Sequence, residues 1–184
     1  IEFERNLLSL DGQTEYGACK DFVSLISIDE YRTYRSLIPN FDEWWWMLSP
    51  YSTKCNEDSS YVSVVSPVGG IDNGSCNGSY GVRPVLYLKS NIFVSLGGKF
   101  DEKYIVDSET KAFYIPGNGE NTSLNTSKLE AEKLAGLKIG DTFELIGKKW
   151  KILDSNENDM LCICMESLGD KTFDSECNKW TSSN

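Results

Sequence analysis

Between Tyr51 and Tyr80 the chain gathers the side chains best suited to holding a ligand: Asn56, Asp58, Ser59, Ser60, Tyr61, Asp72, Asn73, Ser75, Asn77, Ser79 and Tyr80. Tyrosine offers a large contact surface at small entropic cost, and serine and asparagine offer adaptable hydrogen bonds, the mixture used by antibody paratopes. The same residues also favour turns and tolerate left-handed backbone, so a solvated run of turns is the competing reading. As a ligand surface the stretch would act by hydrogen bonding and aromatic contact, without covalent chemistry.

Catalytic alternatives are narrow. The chain has no histidine, which removes the commonest general base and the commonest metal ligand together and excludes Ser-His-Asp and Cys-His mechanisms within it. Adjacent acids occur, as in Asp42-Glu43 and Glu57-Asp58. Residue types alone therefore leave a carboxylate glycosidase open, although acids side by side in a surface loop are usually just solvated. The run Asp154-Ser155-Asn156-Glu157-Asn158-Asp159 has the spacing of the first EF-hand ligands. However, Asp159 stands where glycine belongs and Met165 where the closing glutamate belongs, so a hairpin turn is expected there. Asp58, Asp72 and Asn73 are the remaining calcium candidates, and the expectation is that no metal and no cofactor is bound. The six cysteines include no CxxC pair, which speaks against a zinc ribbon or a thioredoxin-type site. Cys162-Ile163-Cys164 reads as core thiols in a strand, and Cys55 with Cys76 could close a disulfide in an oxidising compartment.

A frame must position these residues. The triple Trp44-Trp45-Trp46 followed by Met47-Leu48-Ser49-Pro50, and the closing run Gly81-Val82-Arg83-Pro84-Val85-Leu86, mark the centre of a folded domain. Arg83, set among apolar neighbours, is expected to meet a carboxylate such as Asp29 or Glu30. Ser27-Ile28-Asp29-Glu30 is a capping box that starts a helix, and Pro39 stops it. Phe22 to Ile26, Tyr61 to Val65 and Val82 to Leu88 read as strands, with Ile71 to Ser79 as a second Asn/Gly/Ser-rich loop. Asn125 to Ala135 reads as a short helix ended by Gly136. The segments Asp141–Ile146, Trp150–Leu153 and Met160–Met165 form a three-stranded meander, whose apolar face needs a cover.

The alternation of short strands with one capped helix predicts an α+β class rather than a doubly wound sheet. With 184 residues there is room for one full domain with a real core, or for one domain and part of another. The expected division is a core with its binding loops over 1–98, a hairpin and linker over 99–136, and the meander over 137–184. A net charge of −10 repels phosphate backbones and anionic lipid heads, so nucleic acid is not an expected partner. No apolar run reaches the roughly 20 residues that cross a bilayer, so membrane insertion is not expected. The first residue is Ile1 rather than Met, which reads as a processed product or a slice of something longer.

The run Val23 to Arg32, then Ile38-Pro39-Asn40, Trp44-Trp45-Trp46, Ser49-Pro50 and Gly81-Val82-Arg83-Pro84, resembles a domain of unknown function widespread in Gram-positive gut bacteria and their phages. The resemblance covers about half the chain. That family is similar to the formylglycine-generating-enzyme branch of the C-type-lectin-like fold, which also supports the variable proteins of diversity-generating retroelements and phage receptor binders. The copper-binding cysteine pair of the formylglycine-generating enzyme has no match here. In retroelement-diversified relatives, asparagine codons mutate chiefly to Ser, Asp, Gly, Tyr and Cys, the palette of residues 51–80. Leu137 to Asp154, with Trp180 to Asn184, looks like the beginning of the same domain, while the helical connector expected between the two halves is absent.

This permuted order has three explanations: a slice through a tandem array, a circular permutation, or a C-terminal meander that completes the next molecule. The resemblance implies a non-enzymatic receptor-binding or adhesion module at a cell or virion surface, or secreted, whose loops 51–80 contact a glycan or a surface protein. The alternative is a structural assembly domain that forms homo-oligomers by exchanging residues 137–184.

Overall fold

The computed structural model describes residues 2–14, 16–51, 60–91, 93–95, 105–106, 113–114 and 131–175. The chain divides into two compact units, one made of Ile1–Tyr87 with Glu166–Asn184 and the other of Leu88–Met165.

In the first unit, strands β1 (Phe3–Asn6) and β2 (Ala18–Asp21) form an antiparallel ribbon. The short β3 (Val23–Ser24) leads into the helix α1 (Ile28–Tyr34), which a 3-10 turn, Arg35–Leu37, extends. The cap is the one expected. The Ser27 hydroxyl accepts from the Glu30 amide, and the Glu30 carboxylate accepts from the Ser27 amide. Ile28, Tyr31 and Ile38 face inward and are buried. Next come β4 (Trp45–Pro50), β5 (Tyr61–Val65), β6 (Ile71–Ser75), β7 (Ser79–Gly81) and β8 (Val85–Lys89). Residues Val85 and Leu86 of β8 pair with Ser24 and Val23 of β3.

The second unit holds β9 (Phe93–Ser95), the ribbon β10 (Ile105–Val106) with β11 (Phe113–Tyr114), and β12 (Ala131–Lys133). The meander follows as β13 (Thr142–Leu145), β14 (Lys148–Ser155) and β15 (Asp159–Cys164). Strand β9 lies between β12 and β13, and the meander continues that order. Phe143, Trp150, Ile152, Leu153 and the whole run Met160–Cys164 are buried. The meander thus falls where its alternating sequence puts it. Last, β16 (Asp170–Thr172) lies in the first unit and completes a five-stranded sheet in the order β16-β7-β4-β5-β6.

The α+β expectation, with its C-type-lectin-like form, is corrected. Among the described residues a single seven-residue α-helix stands beside sixteen strands, so the protein is mostly β. Two segments explain the change. Ile71 to Ser79, expected as a loop, supplies β6 and the start of β7. Residues 131–133, expected as the end of a helix, are a strand. Asn, Gly and Ser disfavour strands only weakly, and a neighbour that supplies a complete hydrogen-bond ladder overrides that preference. Gly74 shows the second half of the reason. A Cβ there would stand 2.7 Å from Tyr80 Cε2, 2.9 Å from Val64 Cγ1 and 3.0 Å from Trp46 Cζ3, so the residue that looks like a turn former is where ring and backbone meet closely.

The tryptophans split by role. Trp45 and Trp46 are buried, while Trp44 is 38% exposed. Trp46 packs on Val62, Val64 and Cys76, with Tyr80 edge-on at 4.6 Å and Phe173 at 5.5 Å. Its indole N–H donates to the Lys171 carbonyl at 2.7 Å, so the polar edge of the buried ring is satisfied. Trp45 meets Tyr31 edge-on and the Arg83 guanidinium at 4.7 Å. Arg83, fully buried, also lies over Phe41. The acids expected to meet it are engaged elsewhere: Glu30 pairs with Arg5 at 2.8 Å and Asp29 with Arg32.

Candidate functional site

Strand pairing sorts the polar residues of the first unit into two sets. In the β5–β6 ladder Tyr61 lies opposite Ser75, Ser63 opposite Asn73, Val62 opposite Gly74 and Val64 opposite Asp72. Side chains alternate across a strand. Val62, Val64 and Gly74 therefore share the face that meets Trp46, and Tyr61, Asn73 and Ser75 share the other. Asn77 joins the second set, because the Ser75 hydroxyl donates to its side-chain carbonyl at 2.8 Å. Asn73 and Asn77 are exposed, and Tyr61 and Ser75 half-buried. The arrangement presents a phenol, a hydroxyl and two amides on a strand pair whose opposite face is clamped by an aromatic core.

The other candidates part from this set. Asp72 is exposed at the end of the core-side row, where its carboxylate accepts from the Asn73 amide at 2.8 Å. Tyr80 is a packing residue against Trp46. Ser79 belongs to β7, opposite Thr172. Ser60 contributes through its backbone, its carbonyl accepting from the Cys76 amide at 2.9 Å. Asn56, Asp58 and Ser59 lie outside the described residues.

A second feature draws on residues that no local pattern connects. An open cleft of about 430 Å³ is lined by Phe41, Glu43, Glu166, Ser167, Gly169 and Asp170. Glu43 is recognisable in the sequence only as half of an acidic pair, and Glu166 and Asp170 carried no signal, because they reach the cleft from the far end of the chain. The cleft can accept hydrogen bonds from a donor-rich ligand. Among the described residues no group of three or more His, Cys, Asp or Glu is placed to hold a metal ion.

The cysteines take two states. Cys19, Cys162 and Cys164 form no disulfide, and the last two are buried. Burial pushes the Cys162 thiol up to about 12, since an apolar surround penalises the thiolate. Cys76 is disulfide-bonded, and its partner is outside the described residues, as is Cys55.

Residues 7–90 match the family model of a domain of unknown function (DUF6273). The matched segment spans α1, the tryptophan strand β4 and every strand from β2 to β8, and so carries the polar face as well as the Trp46 core. Strand β16 and three of the four acidic or polar side chains of the cleft, Glu166, Ser167 and Asp170, come from beyond it. No curated protein matches the chain, and no solved structure does. Among the described residues no helix is long and apolar enough to cross a membrane.

Proposed function

We propose that the chain is a non-enzymatic recognition module, displayed on a bacterial cell or phage surface, that binds a glycan or a surface protein through the face carrying Tyr61, Asn73, Ser75 and Asn77. The observation that carries this reading is that Tyr61, Asn73 and Ser75 share one face of the β5–β6 pair, with Asn77, just beyond β6, tied to them by the Ser75 hydroxyl. A rigid sheet bearing adaptable hydrogen-bonding groups and one tyrosine loses little entropy on binding, which is what a recognition surface requires. The lack of histidine in the whole chain removes the commonest general base and favours recognition over turnover.

The test is capture of the purified chain on glycan and surface-protein arrays beside two variants. One carries Tyr61→Ala, Asn73→Ala and Asn77→Ala; the other carries Glu43→Gln and Asp170→Asn in the cleft. Specific capture that disappears in the first and survives in the second is the expected result. Loss in the second alone would move the site to the cleft, and absence of capture by the unmodified chain would refute the recognition reading.

A further inference from the structure

One tripeptide occurs twice in the first unit, in two different settings. Asn73-Gly74-Ser75 and Asn77-Gly78-Ser79 share the same local sequence, so a difference in their chemistry is imposed by the fold. The chemistry open to both is cyclisation. A glycine after asparagine leaves its amide nitrogen uncrowded by a Cβ, and that nitrogen can attack the asparagine side-chain carbonyl carbon. Three things govern the attack: release of the glycine N–H from its own hydrogen bond, access of water to it, and stabilisation of the oxyanion that forms.

At Asn73 all three are unfavourable. The Cys76 amide donates to the Ser60 carbonyl at 2.9 Å and the Ser66 amide to the Gly70 carbonyl at 2.8 Å, at the two ends of the β5–β6 ladder. Alternation between these ends makes Val62 and Gly74 a pair that exchanges both hydrogen bonds, so the Gly74 amide is committed to the Val62 carbonyl. Gly74 is also buried, with Tyr80, Val64 and Trp46 around it. The Asp72 carboxylate accepts from the Asn73 main-chain amide at 2.8 Å and from its side-chain amide at 3.3 Å. A negative charge so close opposes a developing oxyanion.

At Asn77 each term is reversed. Asn77 is exposed and Gly78 half-buried. Among the described residues the Gly78 amide has one acceptor, the Ser75 carbonyl at 2.7 Å, and a single turn bond opens more readily than a ladder. The Ser75 hydroxyl donates to the Asn77 side-chain carbonyl at 2.8 Å, so a donor already stands on the oxygen where negative charge develops. Packing keeps the nucleophile in place as well. A Cβ at position 78 would stand 2.8 Å from Tyr80 Cε2 and 2.9 Å from the Ser75 carbonyl oxygen, so glycine is the residue that fits.

We propose that Asn77 is a self-modifying site, converted to aspartate and isoaspartate by attack of the Gly78 amide nitrogen, while Asn73 is preserved. The Gly78 N–Cγ bond forms, the Cγ–Nδ2 bond breaks, and ammonia leaves with the glycine amide proton. Water then opens the resulting five-membered imide at either carbonyl. One water is consumed, one ammonia is released, and nothing is oxidised or reduced. The product adds one negative charge beside Ser75, and isoaspartate lengthens the main chain of the turn by one carbon. The chemistry does not depend on the binding proposal; an effect on ligand capture would rest on it.

The full-length chain is held in mildly alkaline buffer, either folded or in guanidinium with its disulfide reduced, and sampled over time. Peptides are scored by mass spectrometry for amide-to-acid conversion, with fragmentation separating the two positions. The denatured chain supplies the reference, in which two identical tripeptides should convert at similar rates. In the folded chain position 77 should convert at least about tenfold faster than position 73, the factor expected from opening one turn bond rather than a ladder. Equal folded rates, a faster position 73, or no conversion at 77 where the denatured chain converts both would overturn the proposal. Ser75→Ala reads the donor: conversion at 77 should slow by about fivefold in the folded chain, the worth of one exposed hydrogen bond, and stay unchanged in denaturant. An unchanged or faster folded rate would overturn the role given to that serine.

Discussion

The carboxylate of Glu30 serves two structures at once, and its removal should unsettle both. One oxygen accepts from the Arg5 Nε at 2.8 Å. The other accepts from the Ser27 amide and hydroxyl, each at 2.9 Å, closing the cap of α1. The Arg5 side chain is 7% exposed, and neither of its Nη atoms has a hydrogen-bond partner among the described residues. Its guanidinium also lies 3.9 Å over the Phe3 ring. In Glu30→Ala the arginine keeps that ring but loses its counter-charge. Breaking a buried ion pair from one side costs about 3–5 kcal/mol, and loss of a cap interaction about 0.5–2 kcal/mol. The Glu30 side chain is still 19% exposed, so water screens part of the pair, and a total of about 3 kcal/mol is expected.

In urea that loss corresponds to a midpoint lower by roughly 1–3 M for a slope in the usual range of about 1–3 kcal/mol per M. Unfolding followed by amide hydrogen exchange reads it in α1 and β4, apart from the second unit. The mechanism makes a sharper claim. Because the penalty is an uncompensated buried charge, adding Arg5→Met to Glu30→Ala should restore about 1–2 kcal/mol, leaving mainly the cap deficit. A Glu30→Ala loss below about 1 kcal/mol, or a double variant no more stable than the single, would refute the assignment of a buried, charge-dependent pair.

Three further outcomes follow from particular residues. Gly74→Ala pushes a methyl group to within 3.0 Å of Tyr80, Val64 and Trp46, so it should destabilise the first unit by about 1–3 kcal/mol, visible as a lower Tm and altered tryptophan emission. Ile146 sits at φ 53 and is 87% exposed at the β13–β14 hairpin, a left-handed conformation that strains a β-branched residue. Ile146→Asn should therefore raise stability by about 1 kcal/mol in denaturant titration, because so exposed a side chain gives up almost no burial. The Cys162 thiol, held up to about 12 against an ordinary 9.0, should resist alkylation at pH 8.5 in the folded chain and react on unfolding. Its linkage has a definite sign. Above pH 9 the unfolded chain releases this proton and the folded chain retains it, so stability is whole below pH 9 and is lost at up to ~1.4 kcal/mol per pH unit as pH rises toward 12. That slope should vanish in Cys162→Ala.

What could be read from the chain was local or strongly periodic. The capping box of α1 is written in Ser27 and Glu30, the meander in its alternation and turns, and the buried centre in Trp45 and Trp46. The order of motifs through Val23, Trp44 and Arg83 pointed to a domain of unknown function, and the family match falls on that segment. Other features required the third dimension. Residues 71–75 are strand because β5 offers them a ladder and Trp46 needs a neighbour without a side chain, neither of which is visible in Ile-Asp-Asn-Gly-Ser.

The single polar stretch 51–80 held no hint that Tyr61, Asn73, Ser75 and Asn77 would meet while Tyr80 turned inward to the core. That division depends on whether a residue falls on an odd or an even place in a ladder, and a one-residue slip would reverse it. The acid that meets Arg5, the lining of the cleft, and the strand that closes the Trp46 core all join positions far apart in sequence. Local propensity carries no information about such pairs. They are chosen when the chain collapses, by which buried donors still lack an acceptor and which edge still lacks a strand.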